Sequence, residues 1–346
     1  MPVDARPTVS RSRYECPVVA PYRLDLTVSV LRRLSTNVVD LLTPDGQYRR
    51  VLGGARHPVT VDVTQVSPEM LTVTIEGDER EHCGALVLVR RMLGVDCDLT
   101  HFDRTAAGMP WLTRLAARTR GVRPPRYPTL WEACVNAIVF QQVSLQAASA
   151  IIRRLIVALG PTLDSGGVPL YAFPGPATIQ GVKDDLLRAA GLSLGKLTTV
   201  RRVGEALATG ALDETMLEER PSPAAAALLR GIKGIGPWTA AVILLRGLGR
   251  LDVFPAHDTS VARNLMLVSG PAQVDIETVL RALSPQQGML YYLLLLARLE
   301  ARNDVGRASA AAATPGTSPR RSLAASEPTG RARRPKEIEL TNQRRW

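Results

Sequence analysis

The segment Leu228-Leu-Arg-Gly-Ile-Lys-Gly-Ile-Gly-Pro-Trp-Thr-Ala-Ala-Val-Ile-Leu-Leu constrains the fold more than any other part of the chain. Two apolar stretches at helical spacing flank a few residues in which Gly231, Gly234 and Gly236 permit a tight reversal. Pro237 suits the first position of the second helix, where its missing N–H goes unused. The pattern is therefore helix, short turn, helix. Without side chains at Gly234 and Gly236, an anion can approach the backbone amides, and the positive end of the second helix faces it. An ordinary helical hairpin carries the same pattern, so the neighbourhood has to decide between the two readings.

That neighbourhood is helical. Across residues 128–302 almost every segment repeats its apolar residues at helical period, with no strand alternation. Thr129-Leu-Trp-Glu132 fits a capping box that opens a helix running through Phe140; Gln141-Gln-Val-Ser144 interrupts it, and a second helix follows over 145–159. Further helices are expected over 183–190, 196–207, 223–230, 237–246, 258–267, 275–283 and 289–302. Upstream of about Leu99 the pattern changes. Pro58-Val-Thr-Val-Asp-Val-Thr and Leu71-Thr-Val-Thr-Ile-Glu-Gly alternate apolar and polar residues, as antiparallel strands with one buried face do, and 82–93 reads as a helix lying on them. From Val305 to the end the chain is Ala, Ser, Thr, Pro, Gly and Arg, with too few large apolar residues to offset the entropy of folding. The expected organisation is mainly α: an N-terminal α+β domain at 1–100, a helical region at 101–304 made of two subdomains with a cleft between them, and a disordered basic tail at 305–346.

The 346 residues carry a formal charge of +11, and 39 of the 43 basic residues are arginine. Guanidinium forks grip phosphate oxygens in pairs, although a GC-rich coding bias also writes Arg for Lys. Such a bias leaves the positive sign unexplained, so an anionic partner is expected. The tail holds +6 of the excess, either as a solvated appendage or as a sequence-independent DNA tether. Cys16, Cys83, Cys97 and Cys134 are scattered without a CxxC pair, which argues against a cysteine-held zinc or iron–sulfur cluster. The first residues lack an apolar signal core and arginines break the longest apolar runs, so a soluble, cytoplasmic protein without membrane contact is expected; it is also expected to be a monomer.

Some twenty residues beyond the hairpin, Val253-Phe-Pro-Ala-His-Asp-Thr-Ser-Val-Ala-Arg places Asp258 at the mouth of another helix. It reads as an N-cap, and also as a carboxylate able to stabilise oxocarbenium character on a sugar as a glycosidic bond breaks. The two roles are compatible. His257 beside it reads as structural.

The hairpin and this Asp together resemble the helix-hairpin-helix DNA glycosylase superfamily, marked by Leu/Ile-x-Gly-Ile/Val-Gly and a later Pro/Val-x-Asp; within it the chain resembles the 3-methyladenine DNA glycosylase II, or AlkA, type. The resemblance spans most of residues 20–302, including Ala137-Ile-Val-Phe-Gln-Gln-Val-Ser. It implies that Asp258 is catalytic and that the turn from Lys233 through Gly234, Ile235 and Gly236 to Thr239 binds DNA. It places a monovalent cation, sodium or potassium, on the carbonyls of Arg230, Ile232 and Ile235, with no organic cofactor. Gln142, beside Gln141, takes the position of the wedge that fills the duplex, unless the pair is simply solvated at a helical break. Trp238 stands where strand-cleaving relatives carry a lysine nucleophile, and an indole cannot form a Schiff base. In AlkA-type enzymes the matching Trp lines the base pocket, whereas the bland reading of Trp238 is core packing. Other pocket aromatics of the family fall at Val30, Val242 and Leu295, with Tyr291 and Tyr292 one turn before the last. The implied function is that of a monofunctional N-glycosylase acting on alkylated purines in double-stranded DNA, in base excision repair, by base flipping and Asp-assisted water attack. The alternatives are a non-catalytic hairpin DNA-binding protein and a glycosylase for deaminated or oxidised purines.

Overall fold

A computed structural model describes residues 9–53, 57–165, 168–256, 258–270 and 273–309. The chain opens with β1 (Val9–Pro17), α1 (Leu24–Arg32), β2 (Leu41–Leu42), β3 (Tyr48–Leu52), β4 (Val59–Ser67), β5 (Met70–Asp78) and α2 (Glu79–Leu93). The strands form an antiparallel sheet in the order β1-β5-β4-β3-β2. Val61, Val63, Val73 and Ile75, the apolar positions of the alternation, are fully buried in one core with Ala85, Val89 and Met92 of α2. Asp78 starts α2 by accepting from the Arg80 N–H at 3.1 Å, and Gly94 at φ +59 ends it.

Helices follow as α3 (Thr100–Ala107), α4 (Pro110–Arg118), α5 (Leu130–Val139) and α6 (Leu145–Leu159), then a short pair β6 (Thr162–Ser165) and β7 (Val168–Tyr171). The chain continues through α7 (Pro176–Gly181), α8 (Asp184–Ala189), α9 (Leu194–Ala208), α10 (Glu214–Glu218), α11 (Ser222–Arg230), α12 (Pro237–Gly247), α13 (Thr259–Ser269), α14 (Ile276–Leu283) and α15 (Gly288–Glu300). Two helical cores result. One gathers Trp131, Ile138, Ile152, Val200, Leu229 and Ile243 from α5, α6, α9, α11 and α12. The other gathers Phe102, Leu112, Val261, Leu283 and Leu293 from α3, α4, α13, α14 and α15. Among the described residues, no helix is long and apolar enough to cross a membrane.

Three expectations need correction. The zone read as purely helical contains the β6–β7 hairpin, whose Leu170 packs with Leu41 and Val51 of the sheet side; four-residue strands are too short for alternation to register. The first hundred residues do not close on themselves either, because Leu26 and Val30 of α1 belong to the second helical core while Val28 and Leu31 belong to the sheet core. Helical period shows that α1 has apolar faces but not that two different neighbours bury them. Finally, the ordered chain runs past the expected boundary at Val305. The Gly306 N–H donates to Ser29 Oγ at 2.9 Å, the Ser309 N–H donates to the Leu42 carbonyl at 2.7 Å, and Ser309 Oγ accepts from the Leu42 N–H at 3.0 Å and from Arg32 Nη1 at 3.1 Å. Val305 packs against the second helical core and hydrogen bonds hold the residues after it, which composition does not report; residues 310–346 of the expected tail lie outside the described residues.

Ser309 is 1% exposed, so Ser309→Ala leaves two buried donors without their acceptor. A loss of about 1–3 kcal/mol is expected in denaturant unfolding. An unchanged midpoint would show that these bonds do not hold the segment.

Candidate active site

The hairpin forms between α11 and α12. Its turn closes with the Ile235 N–H donating to the Ile232 carbonyl at 3.0 Å, while Ile235 buries its side chain and Lys233 and Gly234 stay exposed. Gly234 has φ +106, and a Cβ there would lie 2.0 Å from Thr199 Oγ1 on α9, so only glycine fits. At Gly236, the N-cap of α12, a Cβ would meet nothing within 4 Å. Packing does not dictate glycine at that position, whereas close approach of a ligand to the backbone would.

Thr129 caps α5 through the Glu132 N–H at 3.1 Å, and Ser144 caps α6 through the Ala147 N–H at 3.2 Å, so the helical break falls where the sequence placed it. The two glutamines of the break divide their work. Gln141 Nε2 donates to the Gly234 carbonyl at 3.0 Å and to Thr239 Oγ1 at 2.7 Å, pinning the break to the hairpin. Thr239, expected among the DNA contacts, is only 2% exposed and serves as this anchor instead. Gln142 is exposed and has φ +54, a conformation uncommon outside glycine. Lys196, which the sequence reading passed over, donates from Nζ to the carbonyls of Val139 and Gln141 at 2.8 Å each. Partial burial lowers its pKa.

A cleft of about 820 Å³ opens beside these elements. Phe140, Gln141, Gln142, Gly236, Trp238 and Thr239 line it from one helical group, and Asp258, Ser260, Asn264, Tyr291 and Leu295 from the other. Asp258 caps α13, Oδ1 accepting from the Ser260 N–H at 2.7 Å, as its expected N-cap role requires, and it also lines the cleft. Among the described residues its Oδ2 accepts no hydrogen bond; His257 lies outside them. Trp238 is half-buried and its Nε1 is sealed from solvent, with no hydrogen-bond partner among the described residues. The Tyr291 phenol has its pKa raised by burial.

The structure separates the two tyrosines. Tyr292 is fully buried and donates to the carbonyls of Leu245 at 3.1 Å and Pro125 at 3.3 Å, so it is a core residue and leaves the base-pocket set. Val30 and Val242 are likewise core, whereas Leu295 does line the cleft. Phe140 and Arg33 were missed. Phe140 had a signal in its position just before the break; Arg33, at the end of α1, had none. Arg263 and Arg298 complete the charged lining, with Arg298 Nη1 donating to Asn264 Oδ1 at 3.4 Å.

Comparison with known proteins gives a consistent result. No family model matches the chain. DNA-3-methyladenine glycosylase 2 of Escherichia coli K12 is 31% identical over 259 residues, covering 73% of this chain and 87% of that protein. The Mycobacterium tuberculosis H37Rv protein named "Probable bifunctional transcriptional activator/DNA repair enzyme AlkA" is 30% identical over 235 residues, or 66% of this chain, which spans only 45% of that longer relative. Two solved structures share the fold. The 3-methyladenine DNA glycosylase of Archaeoglobus fulgidus has a TM-score of 0.69 at 24% identity, covering 83% of this chain and 99% of that one. A Clostridium acetobutylicum 8-oxoguanine glycosylase/lyase, solved with double-stranded DNA, has a TM-score of 0.65 at 15% identity, covering 86% and 98%.

The hairpin glycines are predicted to behave differently from each other. Gly234→Ala should cost about 2–4 kcal/mol through the clash with Thr199 and the positive φ, whereas Gly236→Ala should stay within about 1 kcal/mol. Thermal unfolding of the two variants checks this, and equal melting temperatures would contradict it.

Proposed function

The chain belongs to the helix-hairpin-helix DNA glycosylase superfamily, in its 3-methyladenine glycosylase (AlkA) type, and from that premise we propose that it is a monofunctional DNA N-glycosylase that removes alkylated purines from duplex DNA in base excision repair. The observation that carries this reading is that Asp258 and Trp238, delivered by different helices, line one cleft whose edge is formed by the hairpin and Gln142.

The exposed backbone at Gly234 and the half-buried backbone at Gly236, with Lys233 beside them, suit a DNA phosphate, which such amides bind without reading sequence. The carbonyls of Arg230, Ile232 and Ile235 would hold a monovalent cation, which supplies positive charge to that phosphate when bound. Ile232 already accepts one hydrogen bond, and a peptide carbonyl has a second lone pair for coordination. Gln142 projects from the break and would fill the space vacated by the flipped base, while Gln141 is held to the hairpin. Trp238, Phe140 and Tyr291 offer the flipped base aromatic surface.

In the reaction, the C1′–N bond breaks with its electron pair going to the cationic alkylated base, which leaves neutral, while a water oxygen bonds to C1′ and the water's proton passes by way of Asp258 to solvent. The negative charge of Asp258 stabilises the sugar cation, and its Oδ2, which accepts no hydrogen bond among the described residues, is available to orient the water. Among the described residues no lysine lines the cleft. Lys196 is occupied by two carbonyls and Lys233 sits on the exposed turn, which supports water rather than an amine as the attacking group. The protein would act as a monomer on double-stranded DNA.

Asp258→Asn is expected to slow release of a damaged base about a hundredfold or more, with DNA affinity equal or slightly higher because a negative charge beside DNA is gone. Single-turnover assays with gel-shift titrations measure both, and near-normal release would remove Asp258 from the mechanism. A non-catalytic DNA-binding protein would instead show affinity without release.

Chemistry after base release provides a second check. With water attacking, borohydride should trap no protein–DNA adduct, and the product strand should break only after alkali or heat. A trapped adduct mapped to Lys196 or Lys233 would place the protein among the lyases.

A further inference from the structure

Three side chains on one face of α9 reach the two loops that edge the cleft. Lys196, Thr199 and Arg202 follow one another at intervals of three residues, so they share a side of the helix. Lys196 Nζ donates to the carbonyls of Val139 and Gln141 at 2.8 Å each, in the break between α5 and α6. Thr199 packs against Gly234, where its Oγ1 leaves no room for a Cβ. Arg202 Nη1 donates to the Lys233 carbonyl at 3.3 Å. With Gln141 Nε2 donating to the Gly234 carbonyl at 3.0 Å, the break and the hairpin are tied both to one helix and to each other.

Lys196 is ill suited to its own helix. It stands in the first turn of α9, three residues after the capping Ser193, where the helix dipole disfavours a cation. What compensates is the end of α5. The carbonyls of Val139, its last residue, and of Gln141 lack the donor that a continuing helix would supply, and they carry the partial negative charge of a helix C-terminus.

The second of these carbonyls belongs to the peptide that joins Gln141 to Gln142. Gln142 is exposed, its side chain makes no hydrogen bond among the described residues, and its backbone has φ +54. Its own contacts therefore do little to set where it points. With the preceding peptide plane held by Lys196, that φ fixes the direction in which the side chain leaves the backbone.

We propose that Lys196 is a positioning residue for base extrusion: it holds Gln142 in the direction in which it enters the duplex, at a fixed height relative to the hairpin that α9 grips through Thr199 and Arg202. The proposal rests on the glycosylase reading and on Gln142 as the residue that fills the vacated space. It gives Lys196 no part in the chemistry, and Lys196 is not among the residues that line the cleft. A side chain already held in its inserted orientation loses less freedom on entering the base stack, which favours the extruded state that unstacking opposes. Without the lysine, the hairpin still binds phosphate and Asp258 still acts on an extruded base, while the extrusion equilibrium shifts back.

The test is a double-mutant cycle on single-turnover release of 7-methylguanine from duplex DNA, with wild type, Lys196→Met, Gln142→Ala and the double variant. Lys196→Met should slow release about tenfold. In the Gln142→Ala background the same change should slow it less than about twofold, because the residue it acts through is gone. Losses that multiply would make the lysine a support of the fold at large and overturn the proposal, as would a Gln142→Ala variant as fast as wild type. Affinity of Lys196→Met for undamaged duplex should stay within about twofold of wild type, and a loss there that parallels the loss of rate would also overturn it. Lys196→Gln keeps a donor for one carbonyl and covers the case in which methionine does not fold; its loss of about threefold should likewise vanish in the Gln142→Ala background. A readout without turnover places 2-aminopurine opposite a tetrahydrofuran abasic analogue, where its fluorescence reports entry of the side chain into the stack. Saturating wild-type protein should change that signal and Lys196→Met should lose at least about half of the change, whereas equal changes would count against the proposal and overturn it. A wild-type protein that gives the signal but releases no base would instead refute the glycosylase reading, with the fluorescence still deciding the role of Lys196.

Discussion

A single buried guanidinium sets the geometry on which the cleft depends. Arg246, on α12, is 0% exposed and donates to the carbonyls of Val30 and Leu31 at 3.0 Å each, at the C-terminal end of α1. Its Cζ lies 5.0 Å from the ring centroid of Tyr127 and 5.8 Å from that of Tyr292. Among the described residues no carboxylate pairs with it within salt-bridge distance; the negative end of a helix and two aromatic faces take that place. The consequence is positional. α12 begins at the hairpin and carries Trp238 in its first turn, while α1 ends at Arg33, so the bond between these helices fixes the two residues relative to each other. A lysine there would reach the same carbonyls with one ammonium but would lack the flat cation that stacks on rings.

A second buried arginine extends this framework to the sheet. Arg50 on β3 donates to Asp40 and to Glu132 in the first turn of α5, and Tyr48 adds its hydroxyl to Asp40 at 2.8 Å. The N-terminal sheet therefore grips α5 at one end. At its other end α5 delivers Phe140 and Gln141, where Lys196 holds the carbonyls and Gln141 reaches the hairpin. Such buried charges contribute little net stability, because desolvation offsets much of their attraction. They do limit how the helices can slide, and a cleft assembled from separate elements needs that restraint. In this arrangement the sheet buttresses the site without supplying a residue to its lining.

What the sequence made legible follows from what periodicity and capping can report. The break between α5 and α6, the hairpin and the placement of Asp258 all depend on local chemistry: a capping Thr and Ser, glycines at a reversal, an Asp before a helix. Each was found where it was read. Tyr291 and Tyr292 show the limit. Neighbours on a helix point about 100° apart, so one of the pair can face a cleft while the other enters the core, and local pattern does not say which. Thr239 escaped for a related reason, since a small polar residue in the first turn of a helix looks the same whether it meets solvent or a glutamine from another element. Arg33 could not be found at all, because its positive-φ turn, its burial and its stacking on the Phe140 ring arise from tertiary contacts.

Arginine content also proves to be a mixed signal. Read from composition, 39 arginines point to phosphate. In the folded chain, Arg32, Arg33, Arg50, Arg123 and Arg246 are each less than 5% exposed, so they are not placed on the surface to grip phosphates. Several spend their donors on backbone carbonyls, as Arg123 does on Val19 at 2.7 Å and Arg246 does on α1. A guanidinium suits this use because five donors on a rigid plane can satisfy carbonyls from more than one element, where an ammonium offers a single point of contact. The charge that attracts DNA must therefore come from the exposed arginines, and the buried ones shape the cleft. Arg33 belongs to the second class by burial, yet it alone among these five lines the cleft that Asp258 and Trp238 also line, so a residue type that builds the framework also borders the space the framework encloses.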